Sequence, residues 1–334
     1  MIVKLPTTTT TRRLPGLDGI RGLAVIAVIA HHFAHDRLPW LHGRGAYGVE
    51  VFFVLSGFLI TTLLLQEESR FGGVSLRRFY SRRFARIYPV LIVYLATLFV
   101  LSRFGVLMFP LRDGAASLLM VRNFLGQSCV QTTHLWTLAI EGQFYAVWPL
   151  LFVSLGTARA RLVCCATVVV VSRLCWHFHI GYDPADFWSQ FATHLRIEPL
   201  AVGSAAAIVT YARAPARRLV EASAVSAAVV LAVVLFTPLG VATIGPTIGF
   251  MAVAAIVYAA CDGRTAAARA LSFPPLVAVG LVSYSAYVWH HLFAFSAAAN
   301  WPAMLLGTGV VGCTLASYFL IERPFQGLSR RHAA

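Results

Sequence analysis

The sequence predicts an all-α, polytopic membrane protein, and three observations carry that prediction. The chain of 334 residues is 58% hydrophobic and only 12% charged, and its mean hydropathy is +0.74. Apolar stretches of about 20 residues, long enough to cross a bilayer as helices, recur along its whole length. Basic residues are concentrated between these stretches. Since no linker separates a soluble part, residues 1–334 are expected to form a single membrane domain.

The ten apolar segments that predict spans are 17–36, 48–66, 87–105, 135–155, 160–179, 191–211, 219–237, 243–260, 275–297 and 303–321. A shorter apolar piece at 114–126 contains an arginine and an asparagine and is too short to cross the hydrocarbon. If it does not span, nineteen of the 27 basic residues fall between segments on the side of the N-terminus, and only four fall on the opposite side. The positive-inside rule therefore predicts ten spans, a re-entrant or interfacial helix at 114–126, and cytoplasmic tails at 1–16 and 323–334.

The charge and the cysteines exclude other function classes. The formal net charge of +14 does not indicate a nucleic-acid-binding protein, because the arginines lie at segment ends rather than on a soluble binding module. The six cysteines are scattered without the spacing of metal ligands, so no metal site is expected. The chain has no phosphate-binding glycine loop, nucleophile elbow or metalloprotease motif. Function is therefore expected to lie with the ionisable residues inside the spans.

The first span carries an arginine and a histidine on one face. Arg21 and His32 are eleven residues apart, which is about three helical turns and about 16 Å along the axis. Ionisable side chains inside a span normally face a protein interior or a water-filled cavity. Both residues also have a structural explanation. Arg21 is then an arginine whose side chain extends to the membrane surface, and His32 is a hydrogen-bonded residue in helix packing.

Further polar residues are expected at a similar depth in the outer half of other spans. Glu141 lies among aromatic residues, so its carboxylate must be protonated, paired or functional. The residues that the predicted topology places near the depth of His32 are Glu141, Arg196, Glu198, His290 and His291. A shared cavity is therefore geometrically possible.

Three other motifs have both structural and functional explanations. In the connection after the second span, Arg83 and Arg86 share a helix face that suits a phosphate ligand, although positive-inside anchoring also explains them. Ser56 and Gly57 are typical of close helix packing. Glu322-Arg323-Pro324 is expected to end the last span.

Together these motifs resemble the acyltransferase-3 family of integral-membrane O-acyltransferases. The matching motifs are Arg21-x10-His32, Phe52-Phe53-x-x-Ser56-Gly57, Arg83-x-x-Arg86 with Tyr88-Pro89, Leu135-Trp136-Thr-Leu-x-x-Glu141-x-x-Phe144-Tyr145, Ser283-Tyr284-x-x-Tyr287-x-x-His290 and Glu322-Arg323-Pro324. They occur in family order over nearly the whole chain.

The resemblance implies transfer of an acyl group from a coenzyme A thioester to a hydroxyl, usually on a sugar. It implies that His32 is the catalytic base and Glu141 a site carboxylate. The predicted acyl-CoA-binding residues are Arg21, Arg83 and Arg86, and the predicted lining residues are Ser56, Arg196, Glu198, Tyr284 and His290. Acyl-CoA is expected as a co-substrate, with no permanently bound cofactor or metal. The expected partners are the sugar acceptor and the lipid bilayer of a bacterial plasma membrane.

The sequence leaves more than one acceptor and more than one class of function open. The family often carries a C-terminal esterase-like domain, and this chain ends soon after Glu322. That end and the Arg-rich, Ala-rich composition slightly favour acylation of an antibiotic such as a macrolide, and the alternative acceptor is an envelope polysaccharide or lipid-linked sugar. A proton-coupled transporter would use the same ionisable residues, but no internal repeat supports it. A non-catalytic scaffold leaves Glu141 and the Arg21/His32 face unexplained.

Overall fold

The computed structural model describes residues 14–34, 44–45, 47–126, 128–212, 216–237, 244–263, 265–295 and 303–331. These residues form helices and connections, with no β-strand among them. The α-helices are α1 (Pro15–Ala34), α2 (Tyr47–Phe71), α3 (Leu76–Arg103), α4 (Leu111–Leu118), α5 (Val130–Thr133), α6 (Trp136–Leu155), α7 (Ala158–His177), α8 (Thr193–Arg196), α9 (Glu198–Ala212), α10 (Arg217–Phe236), α11 (Gly245–Cys261), α12 (Ala266–Leu271), α13 (Pro274–Leu281), α14 (Ser283–Ala294), α15 (Ala303–Ser317) and α16 (Arg323–Arg331). The all-α prediction is confirmed. Most of the predicted N-terminal tail (1–13) and the end of the C-terminal tail (332–334) lie outside the described residues.

Six helices in the described part of the chain are long and apolar enough to cross a membrane, and the bent pair α13–α14 would make a seventh. The six are Pro15–Phe33, Tyr47–Phe71, Leu76–Arg103, Val130–Leu155, Arg218–Phe236 and Leu305–Leu328. The predicted spans 160–179, 191–211 and 243–260 correspond to α7, α9 and α11, which are more polar or shorter. A polytopic membrane fold is confirmed, while the count of ten spans and the side of the termini remain predictions.

Two helices of the structure differ in extent from the predicted spans. Helix α3 begins at Leu76, where the hydroxyl of Ser75 accepts a hydrogen bond from the backbone amide of Arg78, so the connection that carries Arg83 and Arg86 is helical. The span predicted at 275–297 is broken instead, with α13 and α14 meeting at an angle of 69°. The piece at 114–126 is short, as predicted: it contains the end of α4 and a 3-10 turn at Arg122–Phe124.

The helix of the last predicted span does not end at Glu322, where the sequence predicts an end. After α15 the chain makes a π-helical turn, Tyr318–Glu322, and continues directly into α16. A proline normally clashes with the carbonyl four residues before it. The wider π turn just before Pro324 changes the hydrogen-bond pattern there, and this gives a physical reason why the helix continues.

Close helix contacts place α1 and α14 side by side. Helix α2 packs along α9 with almost no side chain between the two backbones: a Cβ on Gly57 would lie 2.0 Å from the carbonyl oxygen of Leu200, and one on Gly203 would lie 2.1 Å from that of Val54. The helix-packing explanation of Gly57 is thus confirmed. Helix α1 packs against α2, α13 and α14. The arrangement brings the C-terminal end of α1 to the C-terminal half of α14.

Candidate active site

Four histidines from three parts of the chain meet at the C-terminal end of α1; we call His32, His134, His290 and His291 the histidine cluster. His32 Nδ1 lies 3.1 Å from His290 Nε2, and the ring centroids of His32 and His291 are 4.7 Å apart. His134 stacks on His291 at 4.2 Å between centroids. His32 and His290, which the predicted topology places at a similar depth, are therefore in direct contact in the structure.

The buried members of the histidine cluster are held by backbone carbonyls. His290 Nδ1 lies 2.5 Å from the carbonyl oxygen of Tyr287, and His291 Nδ1 lies 3.0 Å from that of Val130. His134 Nε2 lies 3.1 Å from the carbonyl oxygen of Val288. Because a carbonyl oxygen only accepts, each of these nitrogens carries a hydrogen, and the other nitrogen of each neutral ring keeps its lone pair. Side-chain ligand atoms of His32, His290 and His291 lie within 4.8 Å of one another, which is also a spacing that metal ligands can have.

Glu141 lies on α6 and is held by two hydroxyl groups. Ser56 Oγ donates to Glu141 Oε1 at 2.8 Å, and the hydroxyl of Tyr145 donates to Oε2 at 3.2 Å. Ser56 therefore has a polar contact in the site in addition to its place in the α2–α9 packing. Glu141 also interacts electrostatically with Arg86 and Arg83.

The three predicted acyl-CoA-binding arginines come together, and we call Arg21, Arg83 and Arg86 the arginine cluster. Arg83 lies close enough to Arg86 and Arg21 for their like charges to repel. Its guanidinium lies 5.6 Å from the ring centroid of Tyr145. Arg21 is paired with Asp18 at 3.0 Å. Arg83 and Arg86 are half-buried and form no ion pair with a carboxylate within the described residues. Such a pair of guanidinium groups is suited to an anionic ligand.

Two more residues border the arginine cluster. Tyr284, predicted as lining, donates from its hydroxyl to the carbonyl oxygen of Ile87 at 2.6 Å and interacts electrostatically with Arg86. Glu322 is buried in the π turn, where it accepts hydrogen bonds from Ser285 and Gln326 and interacts electrostatically with Arg86. Glu322 has these contacts within the π turn, which the sequence did not predict.

Arg196 and Glu198 have ion-pair partners of their own. Arg196 donates to Glu50 at 3.2 Å and to the side chain of Gln190 at 2.7 Å. Glu198 is fully buried and pairs with Arg173 at 2.5 Å. These contacts join α8 to α2 and α9 to α7, and they give both residues a role in packing. Their place in the lining of the site stays a prediction.

Sequence reasoning missed His134 as a site residue and left His291 outside the set of lining residues. His134 immediately precedes the Leu135-Trp136 motif, and His291 immediately follows the last motif residue, His290. The available signal was depth, because all four histidines lie near helix ends that the topology puts on one side. Depth alone does not tell which helix faces meet.

Comparison with known proteins identifies the family. The model described as "Acyltransferase domain", of the acyltransferase-3 family, matches residues 14–322. This chain belongs to that family. The apolar helices and the bacterial origin of its relatives fit a multi-pass protein of the plasma membrane.

Curated acyltransferase-3 relatives extend the comparison. The chain is 30% identical to "O-acetyltransferase OatA" of Staphylococcus aureus over 310 residues, which cover 84% of this chain and 50% of that protein. It is 30% identical to "Peptidoglycan O-acetyltransferase OatA" of Listeria monocytogenes over 321 residues, or 86% of this chain and 50% of the relative. "Putative peptidoglycan O-acetyltransferase YrhL" of Bacillus subtilis is 30% identical over 369 residues, 96% of this chain and 57% of the relative. The chain thus spans about half the length of these relatives. No solved structure matches significantly.

Proposed function

We propose that the protein transfers an acetyl group from acetyl-coenzyme A to a hydroxyl of a cell-envelope glycan, with peptidoglycan as the first acceptor to test. The acceptor follows from the names of the relatives, two of which specify peptidoglycan. The observation that carries the reaction type is the position of two clusters along α1, with the arginine cluster around Arg21 and the histidine cluster around His32. The antibiotic acceptor receives no support from these relatives.

The arginine cluster is suited to the donor. Coenzyme A is polyanionic, and Arg83 and Arg86 are half-buried cations that form no ion pair within the described chain. Two guanidinium forks on one helix face can bind phosphate oxygens in a bidentate way. The donor is cytoplasmic, and the basic segment at the start of α3 is on the cytoplasmic side of the predicted topology. Phosphates held there leave the pantetheine arm to extend along α1.

The distance between the two clusters agrees with the reach of that arm. Arg21 and His32 lie in one unbroken helix, Pro15–Ala34, eleven residues apart. At 1.5 Å per residue they are about 16 Å apart, which is on the order of an extended pantetheine arm. A thioester held by its phosphates at the arginine cluster would therefore approach His32.

His32 is the proposed base. A neutral imidazole takes the proton of the acceptor hydroxyl as the hydroxyl oxygen attacks the thioester carbonyl. The carbon–sulfur bond then breaks, the thiolate of coenzyme A leaves, and the imidazolium returns the proton to it. The alternative is attack by His32 itself, which would give an acyl-histidine that the acceptor hydroxyl then cleaves.

Glu141 is proposed to act on the donor side. Its oxygens accept from Ser56 and Tyr145, and its charge lies near Arg83 and Arg86. This carboxylate therefore orients the Tyr145 hydroxyl and lies beside the guanidinium groups that would hold the donor phosphates. Nδ1 of His32 contacts Nε2 of His290, whereas Glu141 accepts from Ser56 and Tyr145.

The experiment uses the purified protein in lipid nanodiscs with acetyl-coenzyme A and three acceptors: soluble peptidoglycan fragments, a lipid-linked sugar and a glycosylated macrolide. Thiol release is followed by absorbance, and the product is identified by the mass of one added acetyl group. We expect release that depends on the peptidoglycan fragment, with acetate bound through an ester that mild base removes. Acetylation of the macrolide alone would contradict the envelope acceptor, and no acceptor-dependent release with any of the three would contradict the proposed activity.

A further inference from the structure

The backbone carbonyl of Tyr287 determines the direction of the hydrogen bond between His290 and His32. His290 is fully buried, and its Nδ1 lies 2.5 Å from the carbonyl oxygen of Tyr287. A lone pair cannot face that oxygen, so Nδ1 carries the hydrogen and donates it. In the neutral ring, Nε2 of His290 then has the lone pair.

This lone pair sets the tautomer of His32. Nε2 of His290 lies 3.1 Å from Nδ1 of His32, which is a hydrogen-bond distance. Since Nε2 of His290 only accepts, Nδ1 of His32 must carry a hydrogen and donate it. The lone pair of the neutral His32 ring is therefore on Nε2.

The anchoring carbonyl belongs to a residue with a fixed side chain. The hydroxyl of Tyr287 donates to the carbonyl oxygen of His134 at 2.9 Å and accepts from Thr137 Oγ1 at 2.8 Å. These bonds tie α14 to the start of α6, so the backbone that orients His290 is held on both sides. The sharp bend between α13 and α14 brings this part of α14 against the end of α1.

We propose that His290 is a positioning residue that holds His32 as its Nδ1–H tautomer and stabilises the His32 imidazolium during acyl transfer. It takes the place that a carboxylate has in a Ser-His-Asp triad, where the carboxylate accepts from Nδ1–H of the base. The transfer part rests on the proposed function. The proton of the acceptor hydroxyl goes to Nε2 of His32, the new ester bond forms as the carbon–sulfur bond breaks, and the same proton leaves with the thiol.

A neutral hydrogen-bond partner for His32 suits the buried histidine cluster. His290 and His291 both direct lone pairs into the cluster, and Nε2 of His291 is buried without a hydrogen-bond partner among the described residues. Lone-pair dipoles stabilise a transient cation without introducing a permanent charge into a buried region, where an unpaired charge is costly. The contact with His290 therefore gives the base an orienting partner that costs little in the resting state.

The kinetic test compares His290→Leu, which removes the acceptor, with His290→Gln, whose side-chain oxygen can accept from His32. We expect His290→Leu to lower kcat by about 10³-fold, since loss of the orienting carboxylate in a triad costs on the order of 10⁴. His290→Gln should recover at least about tenfold of that loss, and the donor KM should stay within about threefold in both variants. Trp289→Phe, a buried change in the next residue of α14, is the control for helix disturbance. A His290→Leu enzyme with nearly normal kcat would overturn the proposal.

A second measurement does not depend on any acyl transfer. Nitrogen-15 NMR of histidine-labelled protein in nanodiscs, with His32→Gln used to assign the His32 signals, reports which ring nitrogen carries the hydrogen. We expect Nδ1–H in the wild type and a mixture of tautomers in His290→Leu. Nε2–H in the wild type, or a stoichiometric zinc ion that is lost in His290→Leu, would overturn the proposal. An inactive enzyme that shows the expected tautomers would instead leave His290 in place and contradict the proposed function.

Discussion

The arginine cluster and the histidine cluster lie at different positions along α1, and they differ in charge: the first is permanently cationic, and the second is built from imidazoles that can be neutral. Arg83 and Arg86 are permanent cations that form no ion pair in the described part of the chain. In the histidine cluster, buried imidazoles are tied to backbone carbonyls, so each ring has one defined lone pair. Under the proposed function, this difference assigns anion binding to the first region and transient proton acceptance to the second.

The largest effect is expected from removing the proposed base. His32→Gln should lower acceptor-dependent transfer by about 10³-fold or more, because hydroxyl attack loses its proton acceptor. Coenzyme A affinity should stay near the wild-type value. Steady-state kinetics and donor binding, both in nanodiscs, check this. If His32→Gln kept a tenth or more of the activity, the base would have to be assigned elsewhere.

The arginine cluster should respond in the opposite way, through the donor. Arg83→Ala removes one charge-assisted contact, and hydrogen bonds to charged groups are worth about 1.5–3 kcal/mol, or about tenfold to 150-fold in donor KM. The matched control is Arg82→Ala, because Arg82 is the next residue, has the same charge and pairs with Glu67 at 3.3 Å. Equal donor KM values for the two variants would indicate that the arginine cluster serves only as a membrane anchor.

A smaller effect is expected at Glu141, the carboxylate beside the arginine cluster. Ser56→Ala removes the 2.8 Å hydrogen bond to Glu141 and should lower kcat about tenfold, the cost of one hydrogen bond to a charged group. Ser204→Ala is the control, since Ser204 lies in the same helix contact but bonds only to backbone carbonyls. If both serines gave the same loss, Ser56 would act through α2–α9 packing alone.

The smallest effect on catalysis is expected from the peripheral ion pair. Arg196→Gln breaks the contact with Glu50 and should lower the free energy of unfolding by about 1.5 kcal/mol while kcat changes less than about threefold. Thermal unfolding in nanodiscs and acceptor kinetics measure the two quantities. A large increase in acceptor KM with unchanged stability would put Arg196 in the lining of the site, as the sequence first predicted.

The sequence predicted the residues on one helix better than the contacts between helices. The shared face of Arg21 and His32 follows from helical periodicity, and the structure contains that helix unbroken. Depth alone grouped Glu141 with His32, whereas its observed hydrogen bonds are to Ser56 and Tyr145. Span depth contains no information about rotation around each helix axis or about which helices are neighbours.

Local irregularities explain the remaining errors. Pro324 was expected to end the last helix, and the π turn that precedes it leaves no marked pattern in the sequence. The break before Ser283 likewise divides an apolar stretch that is continuous in sequence, and it sets the position of His290.

The most direct test of the two-region account is the dissociation constant of a non-reactive acetyl-coenzyme A analogue, with a thioether in place of the thioester. It is measured for the wild type, His32→Gln and Arg83→Ala in nanodiscs. We predict that His32→Gln binds the analogue as tightly as the wild type, and that Arg83→Ala binds it at least about tenfold more weakly. Lost binding in His32→Gln, or unchanged binding in Arg83→Ala, would contradict the assignment of donor binding to one end of α1 and proton transfer to the other.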